Sequence, residues 1–137
     1  MRFMMLMIPK DYQKSPADCV PSAEAIAAMM KYNQALKDAG MLLSVDGLHP
    51  PAKGARVSFA GGKTSVAPGP FGTSEALGGY WMIQAKSKDE AIAWAKRCPV
   101  THDAVIEIRQ VQEIEDFPAD VQKAAAGFED MQSRRSG

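Results

Sequence analysis

The N-terminal run from Phe3 to Ile8 most constrains the fold, because all six positions are apolar and Pro9 ends the run. This length and this boundary predict a strand rather than a helix. Successive side chains of a strand point to opposite faces, so both faces of this strand are apolar. A strand of this kind needs cover on both sides. Any fold proposed for the chain must provide that cover.

The same run is too short to direct the chain into or across a membrane. A signal-peptide core needs about 7–15 apolar residues and a small-residue cleavage site, and a spanning helix needs about 20. We therefore expect a cytoplasmic protein that does not contact the membrane.

Two segments have the signals of helices. In the first, Ser22 is a predicted N-cap and Gly40 a predicted C-terminal stop, with an apolar stripe between them. In the second, Ser87 and Glu90 form a capping box, and Pro99 ends the helix. The predicted stripes are Ile26, Met29, Met30, Asn33 and Leu36 in the first helix, and Ala91, Trp94, Ala95 and Cys98 in the second.

The remaining segments alternate in hydrophobicity or are rich in turn residues. Paired glycines at 61–62 predict a small β-hairpin from two flanking runs. Further strands are predicted over 41–45, 80–84 and 104–111, and a short helix over 119–128 is followed by a frayed tail at 132–137. Without the hairpin, the order is strand, helix, strand, strand, helix, strand. This order predicts an α+β, ferredoxin-like split βαβ fold with an antiparallel sheet and both helices on one face.

Two helices on one face leave the other sheet face open. The first strand and the strand over 80–84 carry large apolar groups toward both sides. The open face would exceed the apolar patch of roughly 300–600 Å² found on monomers. We therefore expect a homodimer in which two sheets pack face to face as a dimeric α+β barrel. Cover by the hairpin or by the C-terminal segment remains the alternative.

Composition excludes several classes of function. The chain has 137 residues, 16 basic and 16 acidic side chains, and two histidines. This length predicts one domain, and the balanced charge argues against a protein that binds nucleic acid through phosphates. Cys19 and Cys98 cannot form a disulfide framework, and no His, Cys and carboxylate spacing indicates a metal. We expect neither a metal nor a cofactor.

Several segments together resemble one known family. The quoted segments are 61–71 (GGKTSVAPGPF), 77–81 (LGGYW), 89–95 (DEAIAWA) and Cys98–Pro99, with weaker support from 47–51 and 107–111. They resemble the YCII-related family, specifically its DGPF branch. The resemblance covers residues 1–117 and leaves 118–137 as a separate C-terminal helix and tail. It implies a dimeric α+β barrel and suggests an accessory regulatory role beside a sigma factor of the extracytoplasmic-function group.

The departures from that branch bear on function. Pro68 stands where the branch has the Asp of its Asp-Gly-Pro-Phe loop, and the charged residues that usually follow the loop are replaced at Thr73, Glu75 and Ala76. The His and Asp pair suggested as catalytic in other relatives has no match near the N-terminal strand and helix. These departures favour a protein without catalytic activity.

One candidate ligand site involves the last strand. If Ile106 and Ile108 face the helices, Glu107 and Arg109 project between the two sheets of the dimer. Arg109 would then bind a small anionic molecule in a bidentate manner, with Glu107 and either Tyr80 or Trp81 beside it. Alternatively, Glu107 and Arg109 form an exposed strand edge or a salt bridge that aligns the dimer.

Two classes of function follow from these residues. The favoured one is a non-catalytic dimer that binds a small molecule or a regulatory protein such as a sigma factor. The alternative is a cofactor-free enzyme, of the lyase, isomerase or dehydrohalogenase kind, acting on a small aromatic or lactone-like acid. Its acid–base group would be His49, His102 or Tyr80, although a loop or turn explains both histidines without chemistry.

Overall fold

The computed structural model describes residues 1–72 and 75–132. Its elements match the predicted order. The strands are β1 (Arg2–Pro9), β2 (Leu42–Gly47), β3 (Ala55–Ala60), β4 (Lys63–Pro68), β5 (Gly79–Gln84) and β6 (Ala104–Gln110), and the helices are α1 (Ala23–Asp38), α2 (Lys88–Ala95), α3 (Ala119–Ala124) and α4 (Phe128–Met131).

The main sheet has the strand order β2-β5-β1-β6 with every neighbouring pair antiparallel. The first strand therefore lies inside the sheet and is hydrogen-bonded along both edges. Met5 pairs with Trp81 on one side and with Ile108 on the other, so these three side chains share the face toward the helices. The predicted α+β class with its split βαβ order is confirmed.

The core lies between this face and the two helices. Phe3, Met5 and Ile83 from the sheet pack with Leu36 of α1 and Ala91 of α2, and all five are almost completely buried. Both predicted N-caps are present: the Ser22 and Ser87 hydroxyls accept hydrogen bonds from backbone N–H groups three residues later. Tyr32 links the helices, since its hydroxyl donates to the Trp94 carbonyl at 2.7 Å.

The first helix buries only part of the predicted stripe: Leu36 is fully buried and Met29 packs against the core. Tyr32 and Leu36 are its buried residues, whereas Ile26 and Met30 are exposed. The physical reason is that the N-terminal half of α1 borders an open cleft instead of packing closely on the sheet. Part of the predicted stripe is therefore cleft wall.

The sheet face away from the helices is only partly covered. Met4, Leu6 and Ile8 of β1 are half-buried there, and Met82 beside them on β5 is buried. At the edge of this face, the Arg2 guanidinium makes a bidentate ion pair with Glu113, with donor–acceptor distances of 2.7 and 3.1 Å. This pair fixes the segment after β6 to the start of β1.

The predicted hairpin forms a separate two-stranded sheet of β3 and β4. Gly61 and Gly62 both have positive φ, the backbone conformation that a tight hairpin turn of this type needs. Every residue of both strands is exposed.

The predicted C-terminal helix over 119–128 is wrong in extent. Two short helices, α3 and α4, replace it, separated at Gly127, whose φ of 90° is incompatible with a continuous helix. The predicted tail over 132–137 lies outside the described residues beyond Gln132, and so do Thr73 and Ser74.

Candidate functional site

A cleft of about 520 Å³ opens between the N-terminal half of α1 and one end of the sheet. The C-terminal ends of β1 and β2 and the start of β5 form its floor. The loop before α1 and the segment 99–102 before β6 close its two sides. This volume falls within the range of small-molecule sites, roughly 300–1,000 Å³.

Apolar side chains form most of the cleft wall. Met7 and Trp81 come from the sheet, and Ile26, Met29 and Met30 come from α1. Unbranched methionines adapt to irregular shapes, which suits a site that accepts an apolar or aromatic body.

Trp81 is held in a fixed orientation. Its indole N–H donates to the Asn33 side-chain oxygen at 2.7 Å, and its ring meets Tyr32 edge to face with centroids 5.7 Å apart. Because the Asn33 oxygen accepts from Trp81, the amide nitrogen is the end of Asn33 that can donate to a molecule in the cleft.

Polar groups gather at the rim. Lys10 and His102 line the cleft at the junction of β1 and the segment before β6, and the Lys10 ammonium lies 3.8 Å from the Asp103 carboxylate. Both groups of this ion pair are exposed, so solvent screens the pair and Lys10 can also interact with an anion at the rim. On the opposite side, the Tyr80 hydroxyl donates to Asp46 at 2.8 Å.

Two tyrosines border the cleft, and both hydroxyls are hydrogen-bonded within the chain. The Tyr12 hydroxyl donates to the Leu48 carbonyl at 2.6 Å, and burial raises the pKa of Tyr12, with a smaller contribution from nearby Cys19. The Tyr80 side chain lies on the sheet face away from the helices, and the hydrogen bond to Asp46 is the main cause that raises the pKa of Tyr80. Both phenols therefore stay protonated at neutral pH.

The structure puts three of the four residues predicted for a ligand site on one sheet face and the fourth, Trp81, on the other. Ile106 and Ile108 pack against the core, which puts Glu107 and Arg109 on the face away from the helices. There the Arg109 guanidinium lies 3.3 Å from the Glu107 carboxylate, and both side chains are exposed. Tyr80 shares that face, because both it and Glu107 pair with Leu6. Trp81 lies on the helix side.

The candidate acid–base residues are also dispersed. His102 lines the cleft, and Tyr80 borders it at the start of β5 with its side chain on the sheet face away from the helices, whereas His49 is exposed in the segment between β2 and β3 and does not line the cleft. Asp46 of β2 accepts the hydrogen bond from the Tyr80 hydroxyl and does not pair with His49.

Sequence reasoning missed Lys10 and Asn33 as cleft residues. The predicted apolar stripe of α1 includes Asn33. A polar amide within an apolar stripe can indicate that this part of the helix lines a binding site. Lys10 has no such signal, because only the β1–β6 register brings it beside His102.

Among residues 1–72 and 75–132, no group of three or more His, Cys, Asp or Glu side chains could hold a metal ion. Within the same residues, the helices are all too short or too polar to cross a membrane.

Comparison with known proteins agrees with the fold. No curated protein matches the chain. The model of the YCII-related domain matches residues 1–115, which include the whole main sheet, both core helices and every residue of the cleft. The chain therefore belongs to the YCII-related domain family.

Proposed function

We propose that the protein is a non-catalytic dimer that binds a small anionic molecule with an apolar or aromatic body. The observation that carries the proposal is the cleft of about 520 Å³, with Trp81 fixed in its wall and Lys10 at its rim. A mostly apolar cavity with a few convergent polar groups is the usual form of a small-molecule site.

The exposed methionine of α1 supports an occupant in the cleft. Met30 is 58% exposed although it belongs to an apolar wall. Covering such a side chain removes apolar surface from water, worth about 25 cal/mol for each Å². A bound apolar body gains this energy without any rearrangement of the core.

A fluorescent aromatic anion, 1-anilinonaphthalene-8-sulfonate, tests the cleft. Met30→Gln keeps the length of the side chain but places an amide in the apolar wall, so the Kd should rise about fivefold or more. Val121→Gln, in exposed α3, is the matched control and should leave the Kd unchanged. Equal affinities of the two variants would exclude the cleft as the binding site.

The anionic preference has its own test. N-phenyl-1-naphthylamine has the same aromatic body as the first probe without the sulfonate. We expect the protein to bind the sulfonated probe more tightly than N-phenyl-1-naphthylamine. Lys10→Gln should reduce this difference in affinity, because the Lys10 ammonium lies at the cleft rim and attracts the sulfonate. Equal affinities for the two probes in the unmodified protein would contradict an anionic ligand.

The alternative, a cofactor-free enzyme, would depend on His102, the imidazole that lines the cleft. The Tyr80 side chain lies on the sheet face away from the helices, so its hydroxyl does not offer a second acid–base group beside His102. Conversion of a small aromatic acid by the protein, abolished in His102→Gln, would favour the enzyme.

We also propose that two copies pack through the open sheet face. Met4, Leu6 and Ile8 form an apolar row there. The chain exposes 9371 Å², about 2,400 Å² more than the roughly 7,000 Å² expected for a compact monomer of this mass. A stable interface needs about 800 Å² from each partner.

Sedimentation tests the dimer. The unmodified chain should sediment at twice 14.8 kDa at micromolar concentration, and Leu6→Asp should shift it toward the monomer. Val121→Asp is the control and should leave the dimer intact. A monomeric unmodified chain would refute the proposal.

The resemblance to the DGPF branch, with Pro68 in place of its Asp, supports a finer assignment: an accessory regulatory protein of the cytoplasm that acts beside a sigma factor. Co-elution with a sigma factor of the extracytoplasmic-function group in gel filtration would support this role, and separate elution would contradict it.

A further inference from the structure

The hairpin of β3 and β4 presents an apolar face to solvent. Val57 pairs with Val66, and Phe59 lies two residues further along the same face. Phe59 is 79% exposed and Val66 is 69% exposed. An isolated two-stranded hairpin is marginally stable in water, and it gains stability when its apolar face is covered.

The root of the hairpin is fixed firmly to the domain. The Gly69 N–H donates to the Gly54 carbonyl, and the Phe71 N–H donates to the buried Gln13 side chain at 2.8 Å. A Cβ at Gly69 would lie 1.6 Å from the Pro51 carbonyl oxygen, so backbone packs against backbone at this point. The hairpin is therefore held in place although its own strands contact solvent throughout.

The cleft has an apolar lip of matching character. Val20, Ile26 and Met30 border the cleft and are exposed. Residues of the same chain's hairpin do not belong to the cleft wall. Two exposed apolar surfaces on one chain thus lie without contact to each other.

Charge is also complementary between these two surfaces. Segment 53–68 carries Lys53, Arg56 and Lys63 and no acidic residue. Segment 16–24, which contains the lip residue Val20, carries Asp18 and Glu24 and no basic residue. Complementary charges around an apolar contact orient two surfaces as they associate.

We infer that the hairpin of one subunit packs on the cleft lip of a second copy, so that Phe59 of the partner subunit completes the ligand site. The inference rests on the proposed binding function. In a two-fold dimer each hairpin covers the other subunit's cleft, so both copies of the contact are used and no further subunit is added.

Disulfide trapping with the native Cys19, a cleft-lining residue, tests the geometry. In full-length chains carrying Cys98→Ser, Phe59→Cys treated with diamide should give a covalent dimer that Cys19→Ser abolishes. Ser58→Cys, on the opposite face of β3, is the control and should stay monomeric on a non-reducing gel.

Each other trapping result overturns the inference. A disulfide within one chain would mean that the hairpin closes its own cleft. A covalent dimer that persists with Cys19→Ser would mean that the hairpins contact each other. Failure to cross-link Phe59→Cys would mean that Phe59 does not lie near the lip.

A binding measurement separates this inference from the proposed function. Phe59→Asp should weaken 1-anilinonaphthalene-8-sulfonate binding by about fivefold or more, whereas Ser58→Asp should leave it unchanged. If Phe59→Asp binds the probe normally while Met30→Gln does not, the cleft is a binding site without help from the hairpin. If neither substitution affects binding, the proposed function itself fails.

Discussion

The ion pair of Arg2 and Glu113 joins the first strand to the segment after the last one, with 4% and 12% of the two side chains exposed. Glu113→Ala removes the carboxylate that makes both hydrogen bonds. Removing one partner of a buried pair costs about 3–5 kcal/mol, and the partial exposure of Glu113 favours about 3 kcal/mol. With an unfolding entropy of about 2.1 cal/mol/K per residue, the Tm of this 137-residue chain should fall by about 10 °C.

Urea unfolding measures this loss, with all variants at the same protein concentration because the stability of a dimer depends on that concentration. The double variant Arg2→Met with Glu113→Leu is the control, because it removes both charges and replaces them with apolar groups. Its free energy of unfolding should lie within about 1 kcal/mol of the unmodified protein. If Glu113→Ala alone lowers the free energy of unfolding by less than about 1 kcal/mol, leaving the buried Arg2 without this carboxylate is not costly and the reasoning is refuted.

Three further predictions test the fold. Leu36→Ala should lower the free energy of unfolding by about 3 kcal/mol in urea unfolding, because the side chain is fully buried and leaves a cavity; a loss below about 1 kcal/mol would contradict this packing. Gly69→Ala should destabilise by about 1–3 kcal/mol through its clash with the Pro51 carbonyl, whereas Gly47→Ala, with open space around it, should change thermal stability by less than about 0.5 kcal/mol. Burial raises the pKa of Cys98 from 9.0 to about 11. The protonated thiol therefore contributes stability that is present below pH 9 and lost as the pH rises through 11. In a Cys19→Ser chain, thiolate absorbance should rise with a midpoint near pH 11, and a midpoint near pH 9 would show that the thiol is solvated.

The order of the elements was predictable because each has a local signal. Apolar runs of strand length, the caps Ser22 and Ser87, and the turn glycines 61–62 act over a few residues. These interactions depend on neighbours in sequence, so they can be identified without tertiary information.

The cleft could not be predicted in this way. Ile26 and Met30 satisfy the periodicity of a buried stripe, yet the helix packs closely on the sheet only around Tyr32 and Leu36. Periodicity gives the direction of a side chain around the helix axis, but not the distance from that side chain to the next element. The position of Lys10 beside His102 likewise depends on strand register.

The sequence alone determined the α+β class, the order of the elements along the chain and the family resemblance, because hydrophobic period, capping and turn chemistry are properties of short segments. Tertiary structure decided that Glu107 and Arg109 lie on the face opposite Trp81, and that a cleft opens beside α1. Those outcomes depend on how separate elements pack against one another. This packing is set by the side chains of the whole core together, and a short segment of sequence does not contain that information.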